Sequence, residues 1–125
     1  MENQPQSLYT RLGGKDAVTA TVVKLYEKVL LDEKLQPFFD GVDIVRIRNS
    51  QVAFVTMALG GPHNYTGASL RHAHARLVGQ GLTDIHFDAV AHHFSDALHE
   101  LKVPVALIKE ALETIESTRN DVLNR

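Results

Sequence analysis

Apolar side chains recur along this chain every three or four residues, the period of an amphipathic helix rather than the alternation of a strand. Over 16–31 the stripe is Val18, Val22, Leu25, Tyr26, Val29 and Leu30. Over 44–59 it is Ile44, Ile47, Gln51, Phe54, Val55, Ala58 and Leu59, with Asp43 placed as N-cap to accept from free backbone amides. Over 70–78 it is Leu70, Ala73, His74, Leu77 and Val78, with Ser69 as the cap. Over 84–101 it is Phe87, Val90, Ala91, Phe94, Ala97, Leu98 and Leu101. Pro104 suits the first turn of a last helix, whose face is Val105, Ile108, Ala111, Leu112 and Ile115. Glycines and prolines fall between these segments, at Gly13-Gly14, Pro37, Gly41, Gly60-Gly61-Pro62, Gly67, Gly79 and Gly81. Five helices on short loops predict an all-α fold.

Three stripes carry a residue foreign to a dry core: Tyr26, Gln51 and His74. Burying an amide or imidazole without a partner costs about 1–3 kcal/mol. Three such costs would consume much of a typical folding margin of about 5–15 kcal/mol. These residues must therefore have partners, face water, or surround something bound. Tyr26 can pack its ring and leave its hydroxyl at the rim. His74 can be a satisfied core histidine, and Gln51 can sit at the edge of its stripe with its amide in solvent. The third alternative has a definite chemistry. Imidazole ligates iron well while its other nitrogen donates to a backbone carbonyl. A dioxygen ligand that gains partial negative charge is stabilised by a phenol hydroxyl and an amide NH2. A flat macrocycle needs an apolar pocket around it, which Phe38, Phe39 and Phe54 can supply.

Composition narrows the classes. The 125 residues suffice for one hydrophobic core, and 44% of them are hydrophobic. A formal charge of −2 gives no field of one sign, so neither nucleic acid nor an anionic membrane is an expected partner. With no cysteine, disulfides and thiolate metal sites are excluded. The opening MENQPQS has no apolar stretch, and no run approaches the ~20 residues that span a bilayer, so a cytoplasmic location is expected. The seven histidines raise the question of zinc. Zinc needs about three converging protein ligands. On a helix, His72 and His74 diverge by roughly 160°, and His92 and His93 by about 100°. His92, His93 and His99 lie off the Phe87–Phe94 stripe and read as a solvated face.

From Leu8 onward the chain resembles the group I truncated haemoglobins. LYTRLGG resembles the family's opening, with its first glycine pair. LYEKVL matches the segment carrying the distal tyrosine, here Tyr26. PFFDGVD carries the paired phenylalanines Phe38 and Phe39. SQVAFVTMALGG matches the distal helix and its second glycine pair. LRHAHARLV matches the helix of the proximal histidine, at His74 and not His72. HFDAV matches the start of the next long helix.

The resemblance implies a single truncated globin domain over 1–125, with 1–7 as a flexible extension. Its helices form a two-over-two sandwich around haem b, and a loop over 60–68 precedes the proximal helix. That loop's glycines would let the chain turn tightly near the macrocycle. The resemblance implies iron ligation by His74, ligand stabilisation by Tyr26 and Gln51, and haem contacts at Phe39, Ile47, Phe54, Leu70 and Phe87. Arg46 is a candidate partner for a haem propionate. Some cyanobacterial members use a second histidine on the distal helix as an iron ligand, where this chain has Ser50. Some also bond haem to a histidine near the C-terminus, in the neighbourhood of Thr118. The Tyr26–Gln51 pairing resembles members that bind oxygen tightly and dioxygenate nitric oxide. The expected activity is reversible dioxygen binding with conversion of nitric oxide to nitrate, served by an unidentified reductase, in a monomer. The rivals are a diatomic-gas sensor or oxygen-binding module without turnover, and a haem-free helical interaction protein.

Overall fold

The computed structural model describes residues 6–62 and 67–125. Among them are seven α-helices and no strand: α1 (Leu8–Leu12), α2 (Gly14–Val29), α3 (Ile44–Ala58), α4 (Gly67–Gly79), α5 (Asp84–Glu100), α6 (Val105–Glu116) and α7 (Arg119–Val122). A single 3-10 turn, Gln36–Phe39, lies between α2 and α3. The all-α expectation holds, with differences at the ends of elements.

Helix α1 was not anticipated, because five residues are too few to show a period. It forms because the Ser7 hydroxyl accepts from the Thr10 amide at 3.1 Å. Gly13, at φ 118°, closes α1 and opens α2 in a conformation that side chains other than hydrogen rarely adopt. Asp43 caps α3 as expected, accepting from the amides of Val45 and Arg46 at 3.1 and 3.3 Å. Ser69 does not cap its helix, since α4 already begins at Gly67. Pro104 stands just before α6 rather than in its first turn, and α6 is not last, being followed by α7. The expected extension over 1–7 and loop over 60–68 fall partly on residues 1–5 and 63–66, outside the described residues.

The architecture follows from which faces are apolar. Helix α2 packs against both α3 and α5, and α5 packs in turn against α6. This is the two-over-two arrangement. The stripe of α2 supplies Val18, Val22, Leu25 and Val29, all nearly inaccessible to solvent, and α5 answers with Phe94 and Leu98. Each such burial stabilises the fold by about 1.5–3 kcal/mol. No helix among the described residues is long and apolar enough to cross a membrane.

His93 corrects the reading of a solvated histidine face. Its Nε2 lies 2.7 Å from an Asp32 carboxylate oxygen, and its side chain is only 18% exposed, whereas His92 is 73% exposed. A charged partner on the turn after α2 draws this imidazole inward.

Candidate functional site

The helices do not close completely. A cavity of about 260 Å3 lies between them, and its wall is mostly apolar. Eight of the expected site residues line it: Tyr26, Phe38, Phe39, Ile47, Gln51, Phe54, His74 and Phe87. Tyr26 comes from the last turns of α2, Gln51 and Phe54 from the middle of α3, and His74 from α4. The three polar residues singled out by their place on apolar stripes therefore share one cavity.

His74 is the most constrained of them. Its Nδ1 is 2.9 Å from the Leu70 carbonyl. That oxygen can only accept, so Nδ1 carries the proton and Nε2 keeps its lone pair. Nε2 has no partner among the described residues. Burial pushes the imidazole's pKa below its ordinary value, outweighing the opposing bond to Leu70. The ring is therefore neutral at pH 7, and it stands edge-on to Phe54 with centroids 6.5 Å apart.

Tyr26 is 7% exposed, and its ring meets that of Phe39 edge-on at 5.7 Å. Burial raises its phenol pKa well above the ordinary value, so the hydroxyl stays a donor. Neither that hydroxyl nor the Gln51 amide has a hydrogen-bond partner among the described residues. Both donors are uncommitted where they border the cavity.

Leu70 and Arg46 do not line the cavity. Leu70 is 1% exposed in the core, where its carbonyl orients His74. Arg46 lies exposed in the first turn of α3. His72 is exposed and also off the cavity, whereas Ser50 is part of the wall. Thr118 is buried and donates to the Ile115 carbonyl at 2.6 Å.

Several wall residues were not foreseen, among them Leu35, Leu82 and His86. Leu35 and Leu82 sit in turns, where no period marks them. The signal at His86 was its spacing from Thr83. His86 Nδ1 accepts the Thr83 amide at 3.0 Å, closing a capping box, and its ring packs on Phe38 at 4.9 Å. Arg119 was also missed. Its guanidinium covers the Phe87 ring at 4.4 Å.

An all-helical sandwich with one half-buried, neutral histidine and two free donors bordering the same apolar cavity has the organisation of a globin. Residues 7–124 match the model of the bacterial-like globin family. The chain is 42% identical over 123 residues to the group 1 truncated haemoglobin of Tetrahymena pyriformis, covering 98% of this chain and 99% of that one. It is 43% identical over 122 residues to that of Synechocystis sp. (strain PCC 6803), covering 95% and 98%. Its structure is similar to that of the 2/2 haemoglobin of Synechococcus sp. PCC 7002, solved in the cyanomet state with covalently attached haem. That similarity has a TM-score of 0.88 at 45% identity and covers 96% of this chain and all of that one. The chain belongs to the group 1 truncated haemoglobins.

The residues present fit the family's haem. The cavity wall gives a macrocycle apolar contact, His74 presents an unprotonated nitrogen to a metal, and the two free donors lack any other use in the described structure.

Proposed function

We propose that this chain binds haem through His74 Nε2 and holds dioxygen with Tyr26 and Gln51, and that it oxidises nitric oxide to nitrate. Haem, when bound, supplies an iron that accepts a diatomic ligand and can give up one electron. The chain's own residues do the rest. Leu70 fixes the tautomer of His74, so that Nε2 and not Nδ1 is offered to the metal. Phe39, Ile47, Phe54 and Phe87 exclude water from the cavity, which strengthens every hydrogen bond made within it. Tyr26 and Gln51 each donate to a ligand that gains negative charge. In the reaction, nitric oxide, dioxygen and one electron give nitrate, and a reductase must resupply the electron. Arg46, exposed in the first turn of α3 and one residue before the wall residue Ile47, would be the partner of a propionate.

The observation that carries this reading is the sharing of one apolar cavity by a neutral imidazole with a free nitrogen and two free donors. Ser50 in the cavity wall, where a histidine would offer a second ligand, supports a five-coordinate ferrous protein without added ligand.

The test is absorbance of the purified, haem-loaded protein. His74→Ala should abolish stable haem binding or the normal ferrous spectrum, while His72→Ala changes little. The reverse pattern would sink the assignment. Mixing the oxygenated protein with nitric oxide should give ferric protein and nitrate one for one. Stable oxygenation without nitrate would leave an oxygen-binding module without turnover.

A further inference from the structure

Helix α4 carries His74, yet it makes no extensive contact with the long helices α3 and α5. The one helix among the described residues that α4 packs against extensively is α7, only four residues long. We propose that α7 and the residues after it position His74, with Asn124 as the principal positioning residue. The inference rests on the reading of His74 as the iron ligand.

The contacts are specific. The Asn124 side-chain amide donates to the Arg71 carbonyl at 3.0 Å. That carbonyl neighbours the Leu70 carbonyl that holds the His74 ring. Arg71 returns the contact, with Nη1 3.0 Å from an Asp121 carboxylate oxygen and 3.1 Å from the Arg125 backbone oxygen. On the far side, the C-terminal segment is tied to the start of α5. Arg125 donates to Asp84 at 2.8 Å, and Arg119 donates to the other Asp84 oxygen at 3.0 Å while covering Phe87. Between these two ties Val122 and Leu123 are buried, and Val122 forms part of the cavity wall. The segment thus spans from the helix that carries His74 to the start of α5, whose Phe87 lines the same cavity.

Magnitudes decide which contact dominates. The Arg71–Asp121 pair is about 40% exposed on each side, and exposed pairs contribute little. Asn124 is sheltered and makes a neutral bond to the α4 backbone itself. It sits at φ 58°, a left-handed conformation that asparagine tolerates better than most side chains. Asn124→Gly keeps that conformation accessible and removes the amide.

The experiment measures hydrogen exchange by amide, on the full chain with and without haem, together with haem transfer to an apoprotein acceptor and the iron–imidazole stretching frequency. Asn124→Gly should speed exchange about tenfold in 71–79 while α2 and α5 stay at the parental rate. It should also shift the stretching frequency and speed haem loss several-fold. Arg71→Met should have a smaller effect of the same kind, and Arg71→Lys should restore the parent. Unchanged exchange in α4 overturns the proposal, as does a uniform rise across all helices. Faster α4 exchange with unaltered haem loss and stretching frequency also overturns it, because the helix would then move without consequence for His74. His74→Ala run in parallel separates the two readings. If its haem spectrum is parental, the ligand assignment fails, whatever α4 exchange shows.

Discussion

The phenol of Tyr26 keeps its proton because burial raises its pKa above the ordinary value near 10. The sign of the pH dependence follows. Across about pH 6 to 10, dioxygen release should show no step from this group, since a raised pKa leaves the donor intact throughout. An acceleration with a midpoint near 9–10 in stopped-flow traces would contradict a buried, neutral phenol. Tyr26→Phe keeps the ring against Phe39 and removes only the hydroxyl. One neutral hydrogen bond contributes about 0.5–1.5 kcal/mol, so release should accelerate roughly two- to twelvefold. Adding Gln51→Leu should give less than the sum of the two changes if both amide and phenol meet one ligand. Independent, additive effects would mean they act at separate places. These residues were legible in the sequence because each interrupts an apolar stripe with a group that cannot be buried idly. Leu70 was legible only as an apolar position, because its part in the site is played by its carbonyl. Nothing in a pattern of side chains marks which backbone oxygen meets a histidine.

At the level of elements, two contacts hold the helices in the register the cavity requires. Gly61 is buried where α1 docks on the end of α3, and the Tyr9 amide donates to the Leu59 carbonyl at 2.9 Å. A β-carbon on Gly61 would stand 2.6 Å from Tyr9 Cγ and 2.9 Å from Thr56 Cγ2. Gly61 is thus needed for a helix contact, while the tight turn falls to its neighbour Gly60, at φ 82°. Gly61→Ala should destabilise the protein by about 1–3 kcal/mol in urea titrations, as overpacking does elsewhere. A parental midpoint would show that α1 is easily displaced. The second contact is Asp32–His93, joining the turn after α2 to α5. The His93 imidazole, and after it Lys34, hold the Asp32 carboxyl down at about 2, against a smaller opposing effect of burial. A folded pKa below the unfolded one stabilises above the unfolded value near 4 and is lost as pH falls through about 2. The carboxylate is 9% exposed, so about 1–2 kcal/mol is a reasonable scale at neutral pH. His93→Ala should forfeit much of this at pH 7, and the gap between variant and parent should narrow as pH falls from about 5 to 2. A gap that stays constant with pH would assign the loss to packing instead. Helical periodicity exposed the long helices well, because each has a continuous buried face. It missed α1 and α7 because short helices have no period, and it misplaced His93 because the partner that draws it in is 61 residues away.

For the molecule as a whole, the cavity touches every long element and the short last one: Leu25 from α2, Phe54 from α3, His74 from α4, Phe94 from α5, Ile115 from α6 and Val122 from α7. A ligand that fills it is therefore coupled to global folding and not to one loop. The overall arrangement was legible because the spacing of stripes, glycines and prolines matched one family over nearly the whole chain, although the turn residues Leu35 and Leu82 that complete the cavity wall lie on no stripe. Anything that binds the native state alone stabilises it by RT ln(1 + [L]/Kd), about 4 kcal/mol at a thousandfold excess over Kd. For a chain of this size each kcal/mol raises Tm by roughly 3–5 °C. Loading with haem should then raise Tm by about 10 °C or more, measured by far-UV circular dichroism on the haem-free and loaded protein. His74→Ala should lose most of the increment while lowering the haem-free Tm only by what its ring gives up, the hydrogen bond to the Leu70 carbonyl and the contact with Phe54. Asn124→Gly should reduce the increment while leaving the haem-free Tm nearly unchanged, because the loosening it causes is confined to α4. Equal melting with and without haem would mean that the group is held at the surface, outside the cavity that His74, Tyr26 and Gln51 share.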